Sequence, residues 1–228
     1  GMPKPLLSPT VRTLERNDWF AGLPAALKAD LLASAEVRHT GTGEWIYGTG
    51  DAPRGVFALL SGAALVYVAL PRGDDVLVNV AVPGLVFGHA ARLGRGPRLA
   101  TVVSARPSAL LHLPEAALER VGRAHPELWE ALTQLLYEQY GQLLTQFAWH
   151  LAQPARARIA GRLLQIADVE RTPAAATLSQ AQLAELVGVT RKTVNGVLSE
   201  LARAGIVSSG HGRVEILDLD ALGRLARG

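Results

Sequence analysis

The chain has 228 residues, 49% of them hydrophobic and 19% charged, enough for one large or two small folded domains and too apolar for global disorder. It contains no cysteine, which excludes disulfides, Cys-ligated zinc or iron–sulfur centres and thiol nucleophiles, and no uninterrupted apolar run reaches the roughly 18 residues of a membrane span. The formal charge of +3 lies wholly in residues 154–228, which carry 10 Lys and Arg against 7 Asp and Glu, and this basic third points towards nucleic acid.

Residues 17–36 read as a short helical segment. Leu23-Pro24 opens a run that places Leu27, Leu31 and Leu32 on one face. From 37 to 113 short Val-, Leu- and Ala-rich runs alternate with turn clusters such as Gly48 to Asp51, Arg72 to Asp75, Pro83-Gly84 and Gly94 to Pro97. Many short strands at this spacing predict a barrel or jelly roll. From Pro114 the pattern turns helical. Pro126 and Pro154 bracket an interval without proline, which predicts one helix over 126–152, roughly 40 Å long. Trp129, Leu132, Leu136, Tyr140, Leu143, Phe147 and Leu151 form one stripe along it, widened by Leu128, Leu135 and Leu144. A stripe this long and wide exceeds what packing on one small barrel needs, so Trp129, Leu132, Leu136, Tyr140, Leu143 and Phe147 are expected to pair with a twin helix in a dimer. Beyond it, residues 155–228 are expected to hold three more helices and a Gly-rich hairpin.

The most specific signal lies at residues 179–201. Ser179 and Gln182 have the spacing of a capping box, and Leu183, Leu186 and Val187 form a buried face. Gly188 is placed to end that helix in a left-handed conformation. Thr190 caps a second helix whose inward face is Val194, Val197, Leu198 and Leu201. This is the pattern of a helix-turn-helix. Arg191, Lys192, Thr193 and Asn195 point outward at the start of the second helix, and these are base- and phosphate-contacting types. Residues 204–217 read as strand, Gly turn and strand, a wing with His211 and Arg213 near its tip. Arg156, Arg158 and Arg162 are further candidate phosphate contacts.

Together with Gly43-Glu44, Gly50-Asp51, Phe57 to Gly62, Pro83-Gly84 and Phe87-Gly88 in that order, these features make the chain resemble the Crp/Fnr family of bacterial transcription regulators, from about Trp19 to Leu225. The resemblance implies an α+β protein. It would have an N-terminal double-stranded β-helix of the jelly-roll, cyclic-nucleotide-binding type over 17–124, and a dimerisation helix and hinge over 125–153. A C-terminal winged helix-turn-helix would follow over 154–228. It implies a cytoplasmic homodimer on a palindromic double-stranded DNA operator, with a small-molecule effector and RNA polymerase as further partners, and no enzymatic activity. Family members read their operator with Arg, Glu and Arg at the positions of Arg191, Lys192 and Gly196.

The effector cassette departs from the family pattern. Gly88, His89, Arg98, Leu99 and Ala100 are the matching positions, but His89 stands where a ribose-binding Glu is expected and Leu99 where a phosphate-binding Ser is expected. A neutral imidazole cannot accept two hydroxyl protons, and Leu99 offers no donor, so cyclic AMP is not the expected effector. Buried Arg98 is expected to find an anion, a carboxylate or water. The iron–sulfur branch is excluded for want of cysteine. The alternatives are a haem or gas sensor of the same family and, more distantly, a cupin-like metal enzyme. The six histidines show no metal-ligand spacing, so no metal site is expected.

Overall fold

The computed structural model describes residues 7–169 and 171–228. Its contacts divide the chain into two units, Gly1–Asp75 with Val80–Gly141, and Val76–Asn79 with Gln142–Gly228.

The first unit opens with α1 (Leu7–Glu15), α2 (Asp18–Ala21) and α3 (Ala25–Ser34). The expected single segment over 17–36 is two helices, because Gly22 closes the first and Pro24 caps the next. Helix α1 was not anticipated; it buries Leu14. The strands β1 (Glu36–Thr40), β2 (Trp45–Tyr47), β3 (Val56–Ser61), β4 (Ala64–Ala69), β5 (Asp75–Ala81), β6 (Val86–Phe87), β7 (Thr101–Ser104) and β8 (Ser108–Leu113) follow, with Val76–Asn79 of β5 counted in the second unit. They form two antiparallel four-stranded sheets, in the orders β1-β8-β3-β6 and β2-β7-β4-β5. Leu59, Ala64, Ala81, Val102 and Leu110 fill the space enclosed by the roll. The register sets Phe57 opposite both His112 and Phe87. Directly opposed residues share a face, and the rings of Phe57 and His112 stack at 4.4 Å.

Helix α4 (His89–Leu93) interrupts the strands, and α5 (Glu115–Ala124) and α6 (Glu127–Ala152) come after them. The 26-residue α6 matches the expected long helix, but its stripe has two destinations. Leu128, Leu132 and Leu135 are buried with Leu14, Leu27, Leu118 and Val121, and Trp129 packs against the same cluster. Tyr137, Tyr140, Leu143, Leu144, Phe147 and Leu151 are exposed. Trp129 and Leu132, expected at a dimer seam, therefore belong to the core of their own unit, and Leu136 is half-buried.

Among its described residues the second unit holds four helices beyond α6, not three: α7 (Ala155–Ile166), α8 (Gln180–Val187), α9 (Arg191–Arg203) and α10 (Leu219–Arg227). The last is short, capped by Asp218, and buries Leu222 and Ala226. The hairpin β10 (Val207–Gly210) and β11 (Arg213–Ile216) gains a third strand, β9 (Ala174–Ala176), on the β11 side. Ile159, Leu163, Leu183, Val194, Leu198 and Leu201 form the centre of this unit.

Candidate nucleic-acid interface and effector pocket

The turn between α8 and α9 is built by local chemistry. The Ser179 hydroxyl accepts from the Gln182 N–H at 3.0 Å, and the Ser179 N–H donates to Gln182 Oε1 at 2.9 Å, closing the capping box. Gly188 adopts φ +67°, and a Cβ there would fall 2.5 Å from the His150 ring. Conformation and space both require glycine at this position. The Thr193 N–H donates to Thr190 Oγ1 at 3.1 Å and the two hydroxyls lie 2.9 Å apart, so both threonines serve to start α9.

Val194, Leu198 and Leu201 are buried, which rotates Arg191, Lys192, Asn195 and Gly196 into solvent. Among the described residues neither Arg191 nor Lys192 has a hydrogen-bond or ion-pair partner. Two cations on the first turn of a helix oppose the positive end of its dipole. The same placement favours a polyanion, which meets the dipole, the free N–H groups and both side chains together. Asn195 donates from Nδ2 to Gln180 Oε1 at 3.3 Å, a partner that sequence reading missed. At the wing His211 is exposed, whereas Arg213 is paired with Glu215. Arg158 contacts His150 Nδ1 at 3.1 Å, and Arg162 donates to the Val78 carbonyl at 3.0 Å, within the second unit. These engagements make both arginines poor candidates for phosphate, whereas Arg156 is exposed.

In the first unit the cassette residues split. Arg98 is only 2% exposed. Its Nη2 donates to the Gly55 carbonyl at 2.9 Å and its Nη1 to the Gly88 carbonyl. Its guanidinium lies 4.2 Å from the centre of the Tyr47 ring and 5.9 Å from that of Phe57, both within cation–π range. The expected anion or carboxylate is thus replaced by two backbone carbonyls and aromatic faces. Gly88 makes this possible. It has φ +93°, and a Cβ there would lie 2.8 Å from Arg98 Nη1. Burial draws the Arg98 pKa down, against the pull of Tyr47, Glu115 and Asp51, and arginine stays charged throughout the accessible range.

His89 begins α4 and is also 2% exposed, with neither ring nitrogen partnered. Burial, and then the charge of Arg98, lower its pKa to about 4, so it is neutral at pH 7. Leu99 lies apart at 73% exposure, and Ala100 is half-buried. Arg92, on the last turn of α4, bonds Glu115 at 2.9 Å, pairs with Glu119, and lies 4.8 Å over the Trp129 ring. A cyclic nucleotide does not fit these residues as they stand. Two of the Arg98 N–H groups already serve carbonyls, although its buried Nε is unpartnered; no carboxylate occupies position 89, and Leu99 is turned out. Among the described residues no three His, Asp or Glu side chains converge as metal ligands, and no helix is long and apolar enough to cross a membrane.

A winged helix-turn-helix with cations at the start of its second helix, in one chain with a nucleotide-binding type of β-roll, defines the class: a DNA-binding transcription regulator. Comparison with known proteins agrees. Residues 37–125 match the cyclic nucleotide-binding domain and residues 157–225 the Crp-like helix-turn-helix domain. The transcriptional regulator LdrP of Thermus thermophilus is 31% identical over 195 residues, 80% of this chain and 93% of that one. The CRP-like cAMP-activated global transcriptional regulator of Mycobacterium tuberculosis is 24% identical over 220 residues, 94% of this chain and 98% of that one. A Crp/Fnr-family regulator from Thermus thermophilus of solved structure superposes with a TM-score of 0.67 at 28% identity, covering 85% of this chain and 99% of its own. The chain belongs to the Crp/Fnr family of transcription regulators and is not an enzyme.

Proposed function

We propose that the chain acts as a homodimer that reads a palindromic operator through α9 in each copy, under an effector other than cyclic AMP. The observation that carries the reading is the exposed start of α9, where Arg191 and Lys192 have no partner among the described residues and Asn195 lies beside them. Arg191 binds guanine bidentately, and Lys192 in place of a carboxylate removes a cytosine contact. Thr190, Thr193, His211 and Arg213 sit beside the backbone. Two-fold symmetry sets half-sites roughly 34 Å apart. The exposed Tyr140, Leu143, Phe147 and Leu151 of α6 form the seam between copies, joined by Tyr137 and Leu144. The division at 17–124, 125–153 and 154–228 belongs to the same reading, as do cytoplasmic residence and contact with RNA polymerase.

Selection from random DNA with the full chain tests the proposal. A two-fold symmetric site sharing one G·C pair per half with the family operator is expected; no enriched site at modest salt overturns it. Phe147→Glu should give a monomer in sedimentation, and an unchanged dimer would remove α6 from the seam. Titration calorimetry with cyclic AMP should show no binding at micromolar concentration. The M. tuberculosis relative is named as cAMP-activated, so micromolar binding here would restore the family effector.

One observation favours a second reading: the buried imidazole of His89 is neutral and unpartnered, the state in which histidine binds a haem iron. Haem titration monitored at the Soret band decides it, since His89→Leu must abolish any signal due to this ligand.

A further inference from the structure

We infer that Gln180 sets the orientation of the Asn195 amide, so that α9 selects adenine over guanine at the base pair facing Asn195. The inference rests on the operator-reading role proposed above and adds the donor–acceptor polarity of one contact and the residue that imposes it.

Asn195 Nδ2 donates to Gln180 Oε1 at 3.3 Å. Gln180 is the first residue of α8, and the capping box between Ser179 and Gln182 fixes the backbone on which it stands. The backbone under Asn195 is held as firmly, because Val194 and Leu198 on either side are buried. Nothing lies within 4 Å of a Cβ built at Gly196, so that neighbour offers no competing side chain.

An amide has two N–H donors and one carbonyl oxygen. With one N–H given to Gln180, the edge left for a ligand is Oδ1 beside the second N–H. That acceptor–donor pair complements adenine, which presents a donor at N6 and an acceptor at N7. Guanine presents two acceptors, O6 and N7, and would set O6 against Oδ1. Reversing both amides would spend Oδ1 on Gln180 and leave two N–H groups outward, the guanine-reading arrangement. Gln180 is therefore a positioning residue: it acts through Asn195, and its own Nε2 stays available to a phosphate.

The experiment measures binding of the full chain to its selected operator with each base pair permuted, at one salt concentration. Asn195→Ala identifies the position concerned as the one whose preference collapses. Wild type is expected to favour adenine over guanine there by about tenfold. Gln180→Ala frees the amide to rotate and should reduce the ratio to about threefold. Gln180→Glu keeps an acceptor oxygen, so the adenine preference should survive while every sequence binds more weakly. Gln180→Lys offers only donors, so the amide turns and guanine becomes preferred. Its added charge strengthens all sequences alike and cancels in the ratio. A purely structural Gln180 would change affinity or melting temperature without moving the ratio. An adenine-to-guanine ratio unmoved in both Gln180→Ala and Gln180→Lys overturns the inference, as does a wild-type preference for guanine. Base preference at the Arg191 position with none at Asn195 sinks this inference alone; no preference at any position sinks the operator reading as well.

Discussion

Arg98 and Arg191 are the same residue in opposite situations. Arg98 is buried in the roll, with two carbonyls and an aromatic face meeting its Nη groups while its Nε stays unpartnered. Arg191 stands in solvent on a helix start that disfavours it. The first is tied into the fold by backbone acceptors; the second is free in solvent at the positive end of a helix dipole, a place that favours an anion. Both hold a position in the family motif, and what separates them in the structure is where their N–H groups go.

Replacement of each arginine sharpens the contrast. Arg98→Ala leaves the Gly55 and Gly88 carbonyls without donors and opens a void beside Tyr47, and should lower unfolding free energy by about 4 kcal/mol in urea titration. A loss near zero would mean that the site is an open ligand pocket instead. The next effect comes from His89. Its unfolded-state pKa of 6.5 falls to about 4 in the fold, so the unfolded chain binds the extra proton between those values. Stability is therefore complete above pH 6.5 and declines as pH falls towards 4, by about 3 kcal/mol in all. In His89→Leu that part of the acid dependence should vanish; its persistence would place the titrating group elsewhere. Arg191→Ala should leave unfolding unchanged within about 0.5 kcal/mol yet weaken operator binding by about 2 kcal/mol, with relaxed choice at one base pair in fluorescence anisotropy. The smallest effect is expected at Gly196. Alanine there fills open space on a helix and should raise stability by about 0.8 kcal/mol.

The helix-turn-helix was legible because its determinants are local: a capping box spans residues 179–182, and Gly188 and Thr190 act on their own backbone. The surroundings of Arg98 were not. Its acceptors lie 43 and 10 residues away and are backbone carbonyls, which no residue type announces. The α6 stripe was read correctly as apolar, but periodicity cannot say what covers it. Leu132 turned out to face its own core and Phe147 solvent. Strand β9, three alanines, is too short for a pattern to emerge, whereas the nine-residue α1 and α10 are amphipathic and are simply not separated in the sequence from their neighbouring segments. The partnership of Gln180 with Asn195 joins side chains 15 positions apart, across a turn whose angle the sequence alone does not specify.

Gly196 bears on how such a regulator changes its targets. The position faces outward on α9 and has nothing within 4 Å of a built Cβ, so mutation can introduce almost any side chain without disturbing the protein's own packing. A lineage could thus acquire or discard recognition of one more nucleobase in a single step. Binding-site repertoires would then drift faster than the scaffold that presents them.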